Sequence, residues 1–156
     1  VTTRRGRVLL LVAALSLPLW LTACTSSSSE AGLGLPVLDS ADAAAAIASG
    51  SAESRSHAGT MAVESNGCFT WRAPDETEAD SASIVWPEDA RQDGAEVVLG
   101  SGERVGDGDR LDAVGAIVRL SDLPDGATDS SYFASFGQFC GADERGVLVL
   151  TQVSGG

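Results

Sequence analysis

The chain has 156 residues, 10 basic and 22 acidic side chains, and a net charge of −12. All ten basic residues are Arg. This length holds one folded domain. A charge this negative repels phosphate backbones and anionic headgroups at long range, which argues against nucleic acid as a partner.

The first basic residues are Arg4, Arg5 and Arg7, and no acid precedes residue 30. Val8 to Leu21 is an uncharged, largely apolar run of 14 residues containing Pro18. As a helix it would reach about 21 Å, short of a hydrocarbon core of about 30 Å. A positive start followed by a short greasy run predicts a removable signal peptide over residues 1–23 rather than a permanent span. The run closes in Leu21-Thr22-Ala23-Cys24. This segment resembles the lipobox of bacterial prolipoproteins. The resemblance implies cleavage between Ala23 and Cys24, a diacylglycerol thioether on Cys24, and anchoring to the extracytoplasmic face of the cell membrane. Two acyl chains, at about 0.8 kcal/mol per buried CH₂, hold a soluble domain where one chain would be marginal. Thr3-Arg4-Arg5 faintly resembles a twin-arginine signal; the strongly apolar run favours the general secretory route, and both routes stay open. Removing 1–23 takes three Arg and no acid, leaving seven basic against 22 acidic residues, a net of −15.

Residues 24–58 read as a tether that starts at the lipidated Cys24. Thr25 to Glu30 is short, polar and low in complexity, a flexible spacer. Asp39 and Gly50 are plausible caps around an Ala-rich helix of about ten residues. Two readings stand side by side. Leu38 and Ile47 seat the helix on the domain, or it is a marginal helix within the linker, since isolated helices of this length barely hold.

Residues 59–154 predict a small, mainly β domain. Gly59–Ser65 and Cys68–Ala73 flank Asn66-Gly67, the signal for a two-residue hairpin turn. That register sets Val63 against Thr70 and Met61 against Arg72, and leaves apolar groups on both faces. Pro74–Asp80 is an acidic loop. Ser81–Trp86 is a strand stopped by Pro87. Ala95–Leu99 and Glu103–Val105 form a second hairpin around Ser101-Gly102. In Ala113–Leu120, Val114, Ala116, Val118 and Leu120 alternate onto one face, and Gly115 marks a candidate bulge. Tyr132, Phe133, Phe136, Phe139 and Cys140 fall on one helical face, between Asp129 and Gly141 as caps. Gly146–Val153 closes the domain as an apolar strand. About six short strands and one short helix suggest a small barrel or sandwich, loosely like OB or SH3 barrels.

With Cys24 carrying lipid, Cys68 and Cys140 form an even remainder in an oxidising compartment, which predicts a disulfide between them. Other motifs give less. His57, the single histidine, reads as an exposed linker residue, so a Ser-His-Asp or Cys-His site has no support. A zinc site lacks ligands. Gly100 to Gly106 reads GxGxxxG and lies between strands, so it is a hairpin turn rather than a dinucleotide fingerprint. Asp107, Asp109 and Asp112, or Asp75, Glu76, Glu78 and Asp80, suit solvated turns better than a calcium loop. Trp71, Trp86, Tyr132 and the Phe residues read as core rather than a binding platform. The expectation is a membrane-anchored envelope lipoprotein, non-enzymatic and without cofactor, that binds an envelope partner or has a structural role. A small-ligand or cation-binding lipoprotein is the alternative, and a carboxylate-based hydrolase the least favoured.

Overall fold

A computed structural model describes residues 34–156, so the expected leader, Ala23, Cys24 and the Ser-rich spacer lie outside the described residues. In chain order the elements are β1 (Val37–Leu38), α1 (Ser40–Ser49), β2 (Arg55–Val63), β3 (Phe69–Arg72), β4 (Ala82–Pro87), β5 (Arg91–Asp93), β6 (Glu96–Val98), β7 (Arg104–Val105), β8 (Arg110–Val118), α2 (Tyr132–Cys140), α3 (Ala142–Arg145) and β9 (Val147–Gly155). Among the described residues no helix is long and apolar enough to cross a membrane.

Five strands close into a barrel. β2 pairs antiparallel with β3 and β8, β3 with β4, and β8 with β9, and the cylinder is sealed by the parallel pair β4–β9. The spatial run β8-β2-β3-β4 is a Greek key, with the fourth strand returning beside the first. Of the expected architectures this is the barrel, and its five-stranded Greek-key path agrees with the OB type. β5, β6 and β7 form a separate three-stranded sheet. β5 has no alternating apolar pattern and was not expected; backbone ladders join the three strands, and Arg104 on β7 reaches across to Asp93 and Glu96, both at 2.7 Å.

The first hairpin differs from its expected register by one residue. Val63 faces Phe69 and Met61 faces Trp71. The Glu64 N–H donates to the Cys68 carbonyl at 2.9 Å, and the Gly67 N–H to the Glu64 carbonyl at 2.8 Å. The loop is therefore Ser65-Asn66-Gly67, with Gly67 at φ +86°. The Asn66 side chain supports this longer loop by accepting from the Cys68 N–H at 3.0 Å. A three-residue loop ending in a left-handed glycine competes with the two-residue turn for the same Asn-Gly signal. The slip matters because strand side chains alternate. It gathers Met61, Val63, Phe69 and Trp71 on the barrel's inner face and turns Cys68 outward. The second hairpin uses the same loop: Leu99 N–H donates to the Glu103 carbonyl at 2.8 Å, with Gly102 at φ +88°.

The core has two layers. Met61, Phe69, Trp71, Ile84, Trp86, Leu111, Leu148 and Leu150 fill the barrel, and Ala90, Val97, Leu99 and Val105 continue that cluster under the small sheet. Outside the wall, Val85, Ala116, Val118, Val147 and Val149 pack against helical residues. β4 and the first half of β9, residues 147–150, are buried on both faces, which is why they read as near-continuous apolar runs. The bulge expected near Gly115 is present. Gly115 pairs with Leu150 and Val114 with Gln152, so the extra residue is Thr151 on β9. A Cβ on Gly115 would lie 2.1 Å from the Val149 carbonyl oxygen, so only glycine allows this approach.

The two readings of the Ala-rich stretch are resolved in favour of docking. Ala43, Ala46 and Ile47 are buried in the outer layer beside Leu38. Asp39 caps α1 by accepting from the N–H groups of Ala41 and Asp42 at 2.9 and 2.8 Å. In α2 the N-cap is Ser131 rather than Asp129, accepting from the Ala134 N–H at 3.0 Å, and Gly141 ends the helix at φ +63°. Phe133, Phe136 and Cys140 are buried, but Tyr132 and Phe139 are exposed, a departure from the expected single apolar face. Each precedes a buried residue by one position, about 100° around the helix, which carries it off the stripe.

Candidate functional site

β2, β8 and β9 run side by side, and their outward-facing residues line an open groove of about 600 Å³. Ser56, Val114 and Gln152 form one rung across the three strands; Ala58, Asp112 and Ser154 form the next. All except the half-buried Val114 are exposed. Closing a barrel from five strands forces strong coiling. Small Ser and Ala side chains then leave the concavity open. Asp112 is the charged residue among those lining it.

Beneath this surface lies His57, between the two rungs and paired with Ala113. It is 7% exposed, which overturns the expectation of an exposed linker residue. The physical reason is that β2 starts at Arg55 rather than Gly59, so the wall extends through the histidine. The Nε2–H donates to the Gly115 carbonyl at 3.2 Å, and the ring meets Trp71 edge-on at 5.4 Å. Burial withdraws the imidazolium from water and pushes the His57 pKa below its ordinary value. The bond to Gly115 opposes this shift, and the nearby Arg55 charge adds to it. A backbone carbonyl and an indole make His57 a packed wall residue rather than a base beside a nucleophile.

This geometry has a pH consequence. The unfolded chain takes up a proton on His57 near pH 6.5, while the folded chain resists it to lower pH. The unfolded state then binds more protons, so stability is complete above about pH 6.5 and falls as pH drops from there toward the folded-state pKa. Denaturant midpoints at pH 7.5 and pH 5.5 should differ more in the native chain than in His57→Gln. Equal differences would show that His57 does not carry the effect.

Cys68 and Cys140 are joined, with Cα atoms 5.7 Å apart. The corner around them is tied twice more. The Arg145 guanidinium donates to Glu64, to the Ser81 hydroxyl at 3.1 Å and to the Cys140 carbonyl. The Asn66 amide donates to the Phe139 carbonyl at 3.2 Å. Arg145 thus links the first loop, the entry to β4 and the end of α2, a role that sequence spacing did not suggest.

The acidic side chains bond backbone N–H groups, in β2 for Asp107 and within their own turns for Asp109 and Glu76. Asp107 accepts from the Val63 N–H at 2.9 Å, Asp109 from Gly106 at 2.8 Å and Glu76 from Ala73 at 3.1 Å. The Thr77 hydroxyl and N–H both donate to Asp80 and hold its pKa below the usual carboxylate range. Among the described residues no three His, Cys, Asp or Glu side chains converge to hold a metal. Gly100 to Gly106 is the loop and following strand of the β6–β7 hairpin. Trp71 and Trp86 are core residues, 4% and 0% exposed, and their indole N–H groups have no partner. The groove itself had no sequence signal, because it is made by coiling and by small residues that alternate like any exposed strand face. No protein-family model matches the chain, and searches of curated proteins and of solved structures return no match.

Proposed function

We propose that the chain is the precursor of an envelope lipoprotein, in which a lipid on Cys24 holds a filled β-barrel at the extracytoplasmic face of the cell membrane as a non-enzymatic binding or structural module. The observation that carries this reading is the division of the three cysteines. Two are joined across 72 residues inside the domain, which suits an oxidising compartment. The third ends the greasy leader at Leu21-Thr22-Ala23-Cys24. The barrel interior supports a module rather than a container, since Met61, Ile84, Trp86, Leu111, Leu148 and Leu150 occupy it with almost no exposure.

Growth with labelled palmitate tests the anchor. The native protein should take up label, and Cys24→Ala should take up none. Undiminished label in Cys24→Ala would contradict the proposal. A second reading, ligand binding, is favoured by the open groove over β2, β8 and β9. Its shallow walls and small polar side chains suit a solvated partner better than an enclosed apolar molecule.

A further inference from the structure

We infer that Tyr132 and Phe139 form a second, non-covalent contact with the bilayer, seating α2 along the outer leaflet; this rests on the lipid anchor proposed above. Exposed large apolar side chains are few. Among the described residues they are Ile117 at 41%, Tyr132 at 42% and Phe139 at 47%. Two of these three stand on one short helix, seven positions apart. That spacing is almost two full turns, so the rings project in nearly the same direction, about 10 Å apart along the axis.

The surroundings of this pair differ from the rest of the molecule. Ser130 to Ala142 contains 13 residues and no charge, the longest such stretch among the described residues of a strongly acidic chain. Elsewhere carboxylates would be repelled by anionic headgroups and would resist losing water. Within this stretch the neighbours Ser131, Ser135 and Gln138 carry no such penalty, and the nearest carboxylates in sequence, Asp129, Asp143 and Glu144, stand outside its two ends. An aromatic ring at the boundary of headgroups and acyl chains keeps its apolar body out of water, and the Tyr132 hydroxyl can stay wet.

Chain length selects the membrane as the occupant over a distant partner. Cys24 and Gly34 are ten residues apart, and even fully extended such a segment spans no more than about 35 Å. Gly34 leads directly into β1 and α1, and α1 shares the outer core layer with Phe133, Phe136 and Cys140 of α2. The aromatic helix and α1 thus pack on the same outer core layer, and a lipid on Cys24 holds the whole domain, α2 included, within that reach of the leaflet. A weak contact suffices under such confinement, because tethering makes the second binding event intramolecular.

Brominated lipid provides the test, because bromine on acyl chains quenches indole emission at short range. The protein used is the mature chain purified from the membrane fraction and reconstituted into phosphatidylcholine vesicles, with and without brominated acyl chains. Trp71 and Trp86 sit inside the barrel, so the native protein supplies a shielded background. In Phe139→Trp the added emission should be lost in brominated vesicles while the background remains. Phe139 is exposed, so the substitution leaves packing in place. A variant that floats with the vesicles yet keeps its added emission overturns the membrane contact and leaves the anchor standing. The same holds if that unquenched protein sediments as a dimer with the rings covered. Failure to float with the vesicles overturns the anchor, and the inference with it.

Discussion

Replacing Cys68 and Cys140 together by Ala should lower the unfolding free energy by about 4 kcal/mol, the chain-entropy value for a closed loop of this size. The bond encloses a sequence separation of 72. That is a large share of the roughly 5–15 kcal/mol that holds a domain together. The melting temperature should drop by on the order of 10–20 °C. The loss should also be uneven. α2 is nine residues long, too short to persist alone, and without the disulfide it is held by buried Phe133, Ala134 and Phe136 and by the Asn66 and Arg145 bonds to its last carbonyls. Amide exchange in α2 should therefore accelerate before exchange in β4 and the first half of β9, residues 147–150, which are buried on both faces. Thermal unfolding of the double variant, read by circular dichroism, checks the first statement. A melting temperature within a few degrees of the native value would contradict it.

Trp86→Ala should cost about 3–5 kcal/mol, the range for truncating a fully enclosed large aromatic. Trp86 is 0% exposed and meets Phe69 edge-on at 6.3 Å inside the barrel. A closed wall cannot collapse far onto the missing ring, so most of the cavity should persist. Trp86→Phe should cost much less. It keeps an aromatic body and removes the indole N–H, which has no partner in its buried site. The backbone bond from the Trp86 N–H to the Pro36 carbonyl, at 2.8 Å, survives both changes. Denaturant unfolding of the two variants separates the effects. A loss below about 1 kcal/mol for the Ala variant would mean that the interior is not close-packed around this residue.

The strands were legible where one physical signal dominated. The apolar runs at β4 and β9 announced strands, and an even cysteine remainder announced the disulfide. The register of the first hairpin was not legible. Asn66-Gly67 suits both a two-residue and a three-residue loop, and the choice is made by which face must be apolar once the barrel closes. The inner position of Met61, Val63, Phe69 and Trp71 is thus a tertiary outcome. The burial of His57 was illegible for a similar reason. Its neighbours Ser56 and Ala58 look like linker, and only pairing with Ala113 on a distant strand brings it into the wall. Likewise the docking of α1 depends on Ala43 and Ala46 fitting closely against β8 and β9, and alanine carries almost no pattern of its own. The groove depends on coiling and on side chains too small to fill it, neither of which leaves a motif. The Arg145 hub joins three segments far apart in sequence.

Everything about location and tethering rests on one covalent event at one sulfur. The intact mass of the protein extracted from the membrane fraction reads that event directly. The account predicts a polypeptide beginning at Cys24, heavier than its sequence by a diacylglycerol group, with two hydrogens missing for the bond between Cys68 and Cys140. A polypeptide beginning elsewhere, or one carrying an unmodified Cys24 thiol, would contradict it.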